Sequence, residues 1–190
     1  FHFGAKRSGS PDFLAAAGAR HGFAVDIVPR FEDHGRRISS GPIRAALGEG
    51  HVGDAAEMLG FPWFVSGEVV HGDKRGRELG YPTANIRRQR KKPALMGIYA
   101  TWIHGIGQQP IAGVSSLGTR PTVNGREPLL EAHLFDFDDD LYRRRIRVEF
   151  VCKLRDEIKF DTLDALVMQM DQDAAQARAV LALQPIGECA

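Results

Sequence analysis

From Phe64 onward the apolar residues of this chain recur at every second position, and that period decides the architecture. Val65, Gly67 and Val69 alternate with Ser66, Glu68 and Val70, and similar runs follow at 97–104, 110–117, 129–137 and 146–154. Successive side chains of a strand point to opposite faces, so each run reads as a strand. Gly, Pro, Asn or Asp turns separate them. Such a series of short strands predicts a closed antiparallel barrel, a mostly β architecture. A last helix is expected over 162–183, capped by Asp161, with Leu163, Leu166, Val167 and Met170 as its apolar stripe. Residues 185–190 read as a frayed tail.

Residues 1–62 follow a different, α/β pattern. Residues 1–4 resemble the tail of a strand. Ser10 and Pro11 open a helix that Gly22 closes, and 23–28 alternates as a strand would. Ser39 and Ser40 cap a helix carrying Ile43, Ala46 and Leu47, and 54–59 forms another, stopped by Gly60 and Pro62. One strand and three short helices make a poor core of their own, so this segment is expected to belong to something larger. The chain opens on Phe1 rather than Met, which predicts further sequence upstream.

A length of 190 residues allows one large domain, or one domain and a fragment. The net charge of +1 gives no general pull towards nucleic acid or an anionic membrane. Cys152 and Cys189 form neither a metal-ligand spacing nor a disulfide framework, and a reducing cytoplasm is the expected compartment. No apolar run approaches membrane-spanning length, and no signal peptide is visible.

The segment densest in chemistry is Gly80-Tyr81-Pro82-Thr83-Ala84-Asn85, which sets a hydroxyl and a carboxamide two residues apart behind a rigid proline. Just upstream, Gly72, Asp73, Lys74, Gly76 and Arg77 belong to a loop rich in glycine and cations. Glycines let backbone N–H groups turn towards an anion. Neutral oxygens can complete the shell of Mg²⁺, which keeps waters and substrate phosphates as its other ligands. Together these read as a nucleotide-phosphate and metal site built without a P-loop, since no GxxxxGK[ST] string occurs. An ordinary Gly-rich hairpin leading into a strand is the alternative.

Glu131 shares a strand face with His133, and by the same period with Phe135 and Phe137. A carboxylate beside aromatic groups suits a general base; a solvent-facing Glu on a half-buried strand is the plainer reading. The acidic run at Asp136, Asp138, Asp139 and Asp140 does not fit a calcium loop, whose sixth and twelfth positions would be Leu141 and Arg147. It reads as a solvated turn. The basic run Arg87, Arg88, Arg90, Lys91 and Lys92 lacks interleaved aromatics and reads as a solvated loop rather than an RNA grip. Arg155 suits a phosphate or a ring edge, or equally a surface pair with an Asp. Ser39, Ser40 and Arg44 at a helix start suit either a phosphate or a plain cap.

Taken in order, five blocks resemble the riboflavin kinase module of bacterial bifunctional riboflavin kinase/FAD synthetases. They are Val69 to Ile86 with His71-Gly72-Asp73-Lys74-x-Gly76-Arg77 and the Gly80-to-Asn85 string; Gly97-Ile98-Tyr99-Ala100; Gly118-Thr119-Arg120-Pro121-Thr122; Glu131-Ala132-His133-Leu134-Phe135-Asp136-Phe137; and Leu154-Arg155-Asp156-Glu157-x-Lys159-Phe160. Residues 1–62 resemble the C-terminal part of the adenylyltransferase module of the same proteins, through Phe1-His2-Phe3-Gly4-x-x-Arg7-x-Gly9 and Ile38-Ser39-Ser40-x-x-Ile43-Arg44. Two departures stand out. No HxGH-type motif is present, so this chain alone is not expected to make FAD. Ser40 is followed by Gly41 and Pro42 where the family often has Thr-Arg, which removes a hydroxyl and a charge.

The resemblance implies a six-stranded antiparallel barrel with a C-terminal helix over 63–184, preceded by a partial α/β nucleotidyltransferase domain over 1–62. It implies transfer of the γ-phosphoryl group of MgATP to riboflavin, giving FMN. The full-length protein would also adenylylate FMN to FAD. Thr83 and Asn85 would hold Mg²⁺, and Glu131 would take the hydroxyl proton. ATP would meet Gly72, Asp73, Lys74, Gly76, Arg77, Gly80, Pro82, Thr83 and Asn85. The flavin would meet Gly97, Tyr99, Thr119, Arg120, Arg155 and Phe160. Arg7, Ser39, Ser40 and Arg44 would be the adenylyltransferase remnant. Partners would be small molecules, with neither nucleic acid nor membrane among them. A non-catalytic flavin-binding barrel is the alternative.

Overall fold

The computed structural model describes residues 2–72, 75–87, 93–122 and 125–184, leaving aside the side chains of 75, 78 and 120–127. The chain divides into two compact units, Phe1–Ile38 and Ser39–Ala190. In the first, Phe3 bridges to Gly9, and helix α1 (Pro11–His21) follows. Ser10 caps α1 by accepting from the Phe13 amide, and Gly22 ends it at φ 76°, a left-handed turn that suits glycine. Strands β1 (Glu32–Asp33) and β2 (Arg36–Arg37) form a minimal hairpin. The alternation at 23–28 does not produce a strand. Among the described residues no strand pairs with it, and Val28 is 82% exposed. Alternation without a neighbour to take the backbone N–H and C=O groups leaves the segment irregular.

The second unit opens with two helices, α2 (Ser40–Glu49) and α3 (Val52–Leu59), each closed by a left-handed glycine, Gly50 and Gly60. Ser39 occupies the cap position of α2 but makes no side-chain capping bond. Six strands then close into an antiparallel barrel: β3 (Phe64–Val70), β4 (Ala84–Arg87), β5 (Gly97–His104), β6 (Ile111–Thr122), β7 (Gly125–Leu134) and β8 (Arg145–Arg155), ordered β3-β4-β7-β6-β5-β8. A four-residue helix, α4 (Arg75–Glu78), lies between β3 and β4, and α5 (Leu163–Leu183) follows β8. The expected barrel with a C-terminal helix is therefore present.

Alternation sorts each strand into an inner and an outer face. Tyr99, Ile103, Leu117, Leu130, Ile146 and Val148 are the largest apolar side chains of the barrel strands that are fully buried. Inside, the Thr101 and Ser115 hydroxyls satisfy one another at 2.8 Å. Outside, α5 packs Ala177 and Leu181 on Ala100 and Phe135, where the small side chains allow close approach. Thr162 rather than Asp161 caps α5, its hydroxyl accepting from the Ala165 amide at 3.2 Å. Thr162 has the extended backbone that aims a side-chain oxygen at that amide. Leu163 is 66% exposed, so the stripe starts later and runs through Leu166, Met170, Asp173, Ala177 and Leu181.

Candidate active site

Strand register assembles the site. Asn85 on β4 pairs with Glu131 on β7, Glu131 with Ser116 on β6, Ser116 with Ile98 on β5, and Ile98 with Arg155 on β8. Cross-strand partners share a face of the sheet, so residues from five strands form one row. The row lies on the outer face, because the flanking Leu130, Ala132, Leu117 and Tyr99 fill the interior. Ahead of β4, Thr83 donates its hydroxyl to a Glu131 carboxylate oxygen at 3.3 Å. Thr83, Asn85 and Glu131 thus lie together, from segments far apart in the chain.

The preceding loop is shaped to reach this point. After α4, the Tyr81 amide returns to the Gly76 carbonyl at 2.8 Å, with Gly80 at φ 81° in the left-handed region. Gly72 packs directly on the Asn85 carboxamide: a Cβ added there would lie 2.3 Å from its nitrogen. Asn85 is 7% exposed, and the missing side chain at Gly72 makes room for it.

Between the barrel wall, the 155–160 segment and the first half of α5 lies a cavity of about 420 Å³. Thr83, Glu131, His133, Arg155, Phe160 and Asp173 contribute its polar and aromatic lining, and Ile98, Val114, Leu129, Leu166 and Met170 its aliphatic one. Polar contacts tie its walls together. Tyr81 donates its hydroxyl to Asp171 on α5 and rests its ring on His133, centroids 4.9 Å apart. The His133 Nδ1–H donates to the Pro82 carbonyl at 2.9 Å. Desolvation, then the hydrogen bond to Asp171, pushes the Tyr81 phenol up to about 12. A second groove, about 540 Å³, lies at the ends of β3 and β4, lined by Val70, His71, Ile86 and Arg87, with Tyr142 against His71 at 3.8 Å between centroids. Leu129 lines both spaces.

The expected site residues distribute unevenly. Thr83, Glu131, Arg155, Phe160 and Gly76 line the cavity. Tyr99, expected at the flavin, is a core residue: its ring meets Phe150 edge-on, its hydroxyl donates to the Met96 carbonyl, and its neighbour Ile98 faces the cavity instead. One step along a strand reverses the face. Burial, then the Asp156 charge, pushes the Tyr99 phenol up to about 12. Gly97 is buried with φ 120°, and an added Cβ would lie 2.6 Å from the Arg155 carbonyl oxygen. Thr119 is exposed on β6, and Pro82 is exposed beside His133. Asp73 and Lys74 lie outside the described residues, as do Arg88, Arg90, Lys91 and Lys92 and the side chain of Arg120. Arg77 is exposed on α4. Arg7 belongs to the first unit; Ser39, Ser40 and Arg44 belong to the second, where Arg44 is exposed.

β7 ends at Leu134 and Asp136 turns the chain at φ 54°, yet Phe135 keeps to the outer side that Glu131 and His133 occupy, its ring edge-on to His133 with centroids 5.8 Å apart. There Phe135 packs under α5, with the Arg178 guanidinium 4.1 Å from its centroid. Arg178 pairs with Asp136 and holds that exposed carboxyl below its usual range. Arg155 does meet an Asp, but a buried one. Asp173 accepts from Nε at 2.9 and 3.1 Å and from Nη2 at 2.6 Å. Sequence reasoning missed Asp173 and Asp171. The available signal was an acid at helical spacing on an apolar stripe.

The donor set fits a hard divalent cation. Thr83 and Asn85 offer neutral oxygens, which a hard cation can take beside the waters and substrate phosphates that make up the rest of its shell. Among the described residues no cluster of three or more His, Cys, Asp or Glu is arranged to hold a metal by itself. No described helix is long and apolar enough to cross a membrane.

Comparison with known proteins gives this barrel a family. The family model for riboflavin kinase (flavokinase) matches residues 59–181. The bifunctional riboflavin kinase/FMN adenylyltransferase of Escherichia coli (strain K12) is 42% identical over 183 residues, 96% of this chain and 58% of that protein. The Haemophilus influenzae protein of the same description is 42% identical over 179 residues, covering 94% of this chain and 58% of its own length. A crystal structure described as a macrolide-efflux protein from Streptococcus pneumoniae superposes with a TM-score of 0.72 at 35% identity, over 94% of this chain and 57% of that one. The chain belongs to the riboflavin kinase family. It spans somewhat over half the length of the curated relatives it matches.

Proposed function

We propose that this protein transfers the γ-phosphoryl group of MgATP to the 5′-hydroxyl of riboflavin, releasing FMN and ADP. One observation carries the reading: the Thr83 hydroxyl and the Glu131 carboxylate meet at the wall of a cavity suited in size and lining to a ring system, with Asn85 the strand partner of Glu131 beside them. Family membership supports the substrates, and a divalent metal is general to the family. Thr83 and Asn85 would hold Mg²⁺, which neutralises phosphate charge when bound.

The residues of this chain then position and move a proton. The isoalloxazine ring enters the cavity between Phe160, Leu166 and the barrel wall, which brings the ribityl end towards Glu131. The Glu131 carboxylate accepts the 5′-hydroxyl proton as the new O–P bond forms. The bond from the γ-phosphorus to the bridging oxygen breaks, and ADP leaves. An alcohol holds its proton at neutral pH, so the carboxylate acts mainly in the transition state. Thr83 orients that carboxylate. Gly72, Gly76 and Gly80 shape a loop whose backbone N–H groups can face the phosphates. The groove with His71 and Tyr142 offers the adenine a place next to Leu129, which both spaces share. A barrel that only stored flavin would have no use for the Thr83–Glu131 pair.

Residues 63–184 form the kinase domain in this reading, and 1–62 the C-terminal part of an FMN adenylyltransferase domain, whose chemistry needs the full-length protein. Its partners are small molecules and its place the cytoplasm. Incubation with riboflavin, ATP and Mg²⁺ followed by chromatographic separation of the flavins tests the reading. FMN is the expected product; folded protein that returns only riboflavin overturns it.

A further inference from the structure

Asp173 is a carboxylate on a helical stripe whose other members, Leu166, Met170, Ala177 and Leu181, are apolar. It is 4% exposed. Three hydrogen bonds from Arg155 and one from the Gln169 amide at 3.0 Å satisfy its oxygens. α5 has a separate apolar anchor, Ala177 and Leu181 on Ala100 and Phe135. Buried ion pairs are in general no more stabilising than apolar residues of the same volume. The location of this pair is informative: Asp173, Arg155 and Phe160 all line the cavity, and the guanidinium lies 5.8 Å from the Phe160 centroid.

Building on the kinase reading, we propose that Asp173 is a positioning residue for the flavin, acting through Arg155. It grips the Nε–Nη2 edge of the guanidinium while the Asp156 carbonyl takes Nη1 at 2.9 Å. With the edge occupied, the plane of the cation is fixed beside Phe160 and the 155–160 segment is held over the cavity. A planar cation in one orientation is a partner for an aromatic ring system. The carboxylate also neutralises the guanidinium, so the ring meets a paired cation there rather than a free one. Without Asp173 the guanidinium can swing into the space the ring would occupy.

Steady-state kinetics of Asp173→Asn, with riboflavin and ATP varied separately, test this. The expected result is a riboflavin KM raised about ten-fold with an ATP KM within about two-fold of wild type. Asp173→Glu recovers part of the loss, and Gln169→Ala gives a smaller rise in the same constant. A folded Asp173→Asn with unchanged riboflavin KM overturns the proposal, as does an ATP KM that rises in step. Should Asp173→Asn fail to fold, Gln169→Ala decides: an unchanged riboflavin KM overturns the proposal. Should wild type make no FMN, the kinase reading fails; quenching of riboflavin fluorescence by wild type and by Asp173→Asn then still tests positioning, and equal affinities overturn it.

Discussion

The two halves of α5 rest on the same barrel in opposite ways. From Ala174 to Leu181 the helix sits directly on the outer sheet, where Ala174, Ala177 and Leu181 meet Ala100, Phe135 and Val114. From Leu166 to Asp173 it stands off the sheet and roofs a cavity, joined to the other walls by Tyr81–Asp171 and Arg155–Asp173. Apolar contact is non-directional and supplies attachment; hydrogen bonds and ion pairs are directional and fix geometry. One helix therefore provides an anchor at one end and a wall of set geometry at the other. The barrel shows the same division between an apolar interior that carries stability and an outer row that carries chemistry.

The largest expected effect breaks the comparison on its chemical side. Glu131→Gln should lower kcat by about 10²–10⁴-fold while ATP binding by titration and the thermal midpoint stay near wild type. Turnover like wild type would remove Glu131 from its role. On the anchoring side, Leu181→Ala should lower unfolding free energy by about 2–4 kcal/mol in denaturant titration, with KM values little changed in the folded protein. A loss of riboflavin affinity as large as that of Asp173→Asn would erase the distinction between the two halves of the helix. The smallest effect concerns the interior. Burial holds the Tyr99 phenol neutral, with its titration moved up to about 12. The folded state thus favours the protonated form, and that stabilisation is whole below pH 10 and lost as pH climbs towards about 12. Thermal melts should show a midpoint falling across that window, and Tyr99→Phe should make the fall shallower.

The period-two runs exposed most of the barrel because each strand is apolar on its inner face and mixed outside. Two features lay beyond that signal. β4 has only four residues, too few to show a period, and reads simply as the end of the Gly80-to-Asn85 string. The β6–β7 hairpin extends to Thr122 and Gly125, through Gly118 and Pro121, residues that read as loop. The alternation at 23–28 misled, because a pattern cannot say whether a neighbouring strand exists. Glu131, Thr83 and Asn85 were legible as residue types, and register supplied their convergence. Tyr99 was legible as part of a block but not in its direction, which one residue of parity decides. Asp173 was hidden because a single acid on an apolar stripe looks like noise until its guanidinium partner, 18 residues away, is in place.

ATP labelled at the γ-phosphorus, mixed with riboflavin and Mg²⁺, puts the whole account to one measurement. Label recovered in FMN, dependent on riboflavin and lost in Glu131→Gln, is the predicted result. Label appearing only as inorganic phosphate, with riboflavin unchanged, would contradict it.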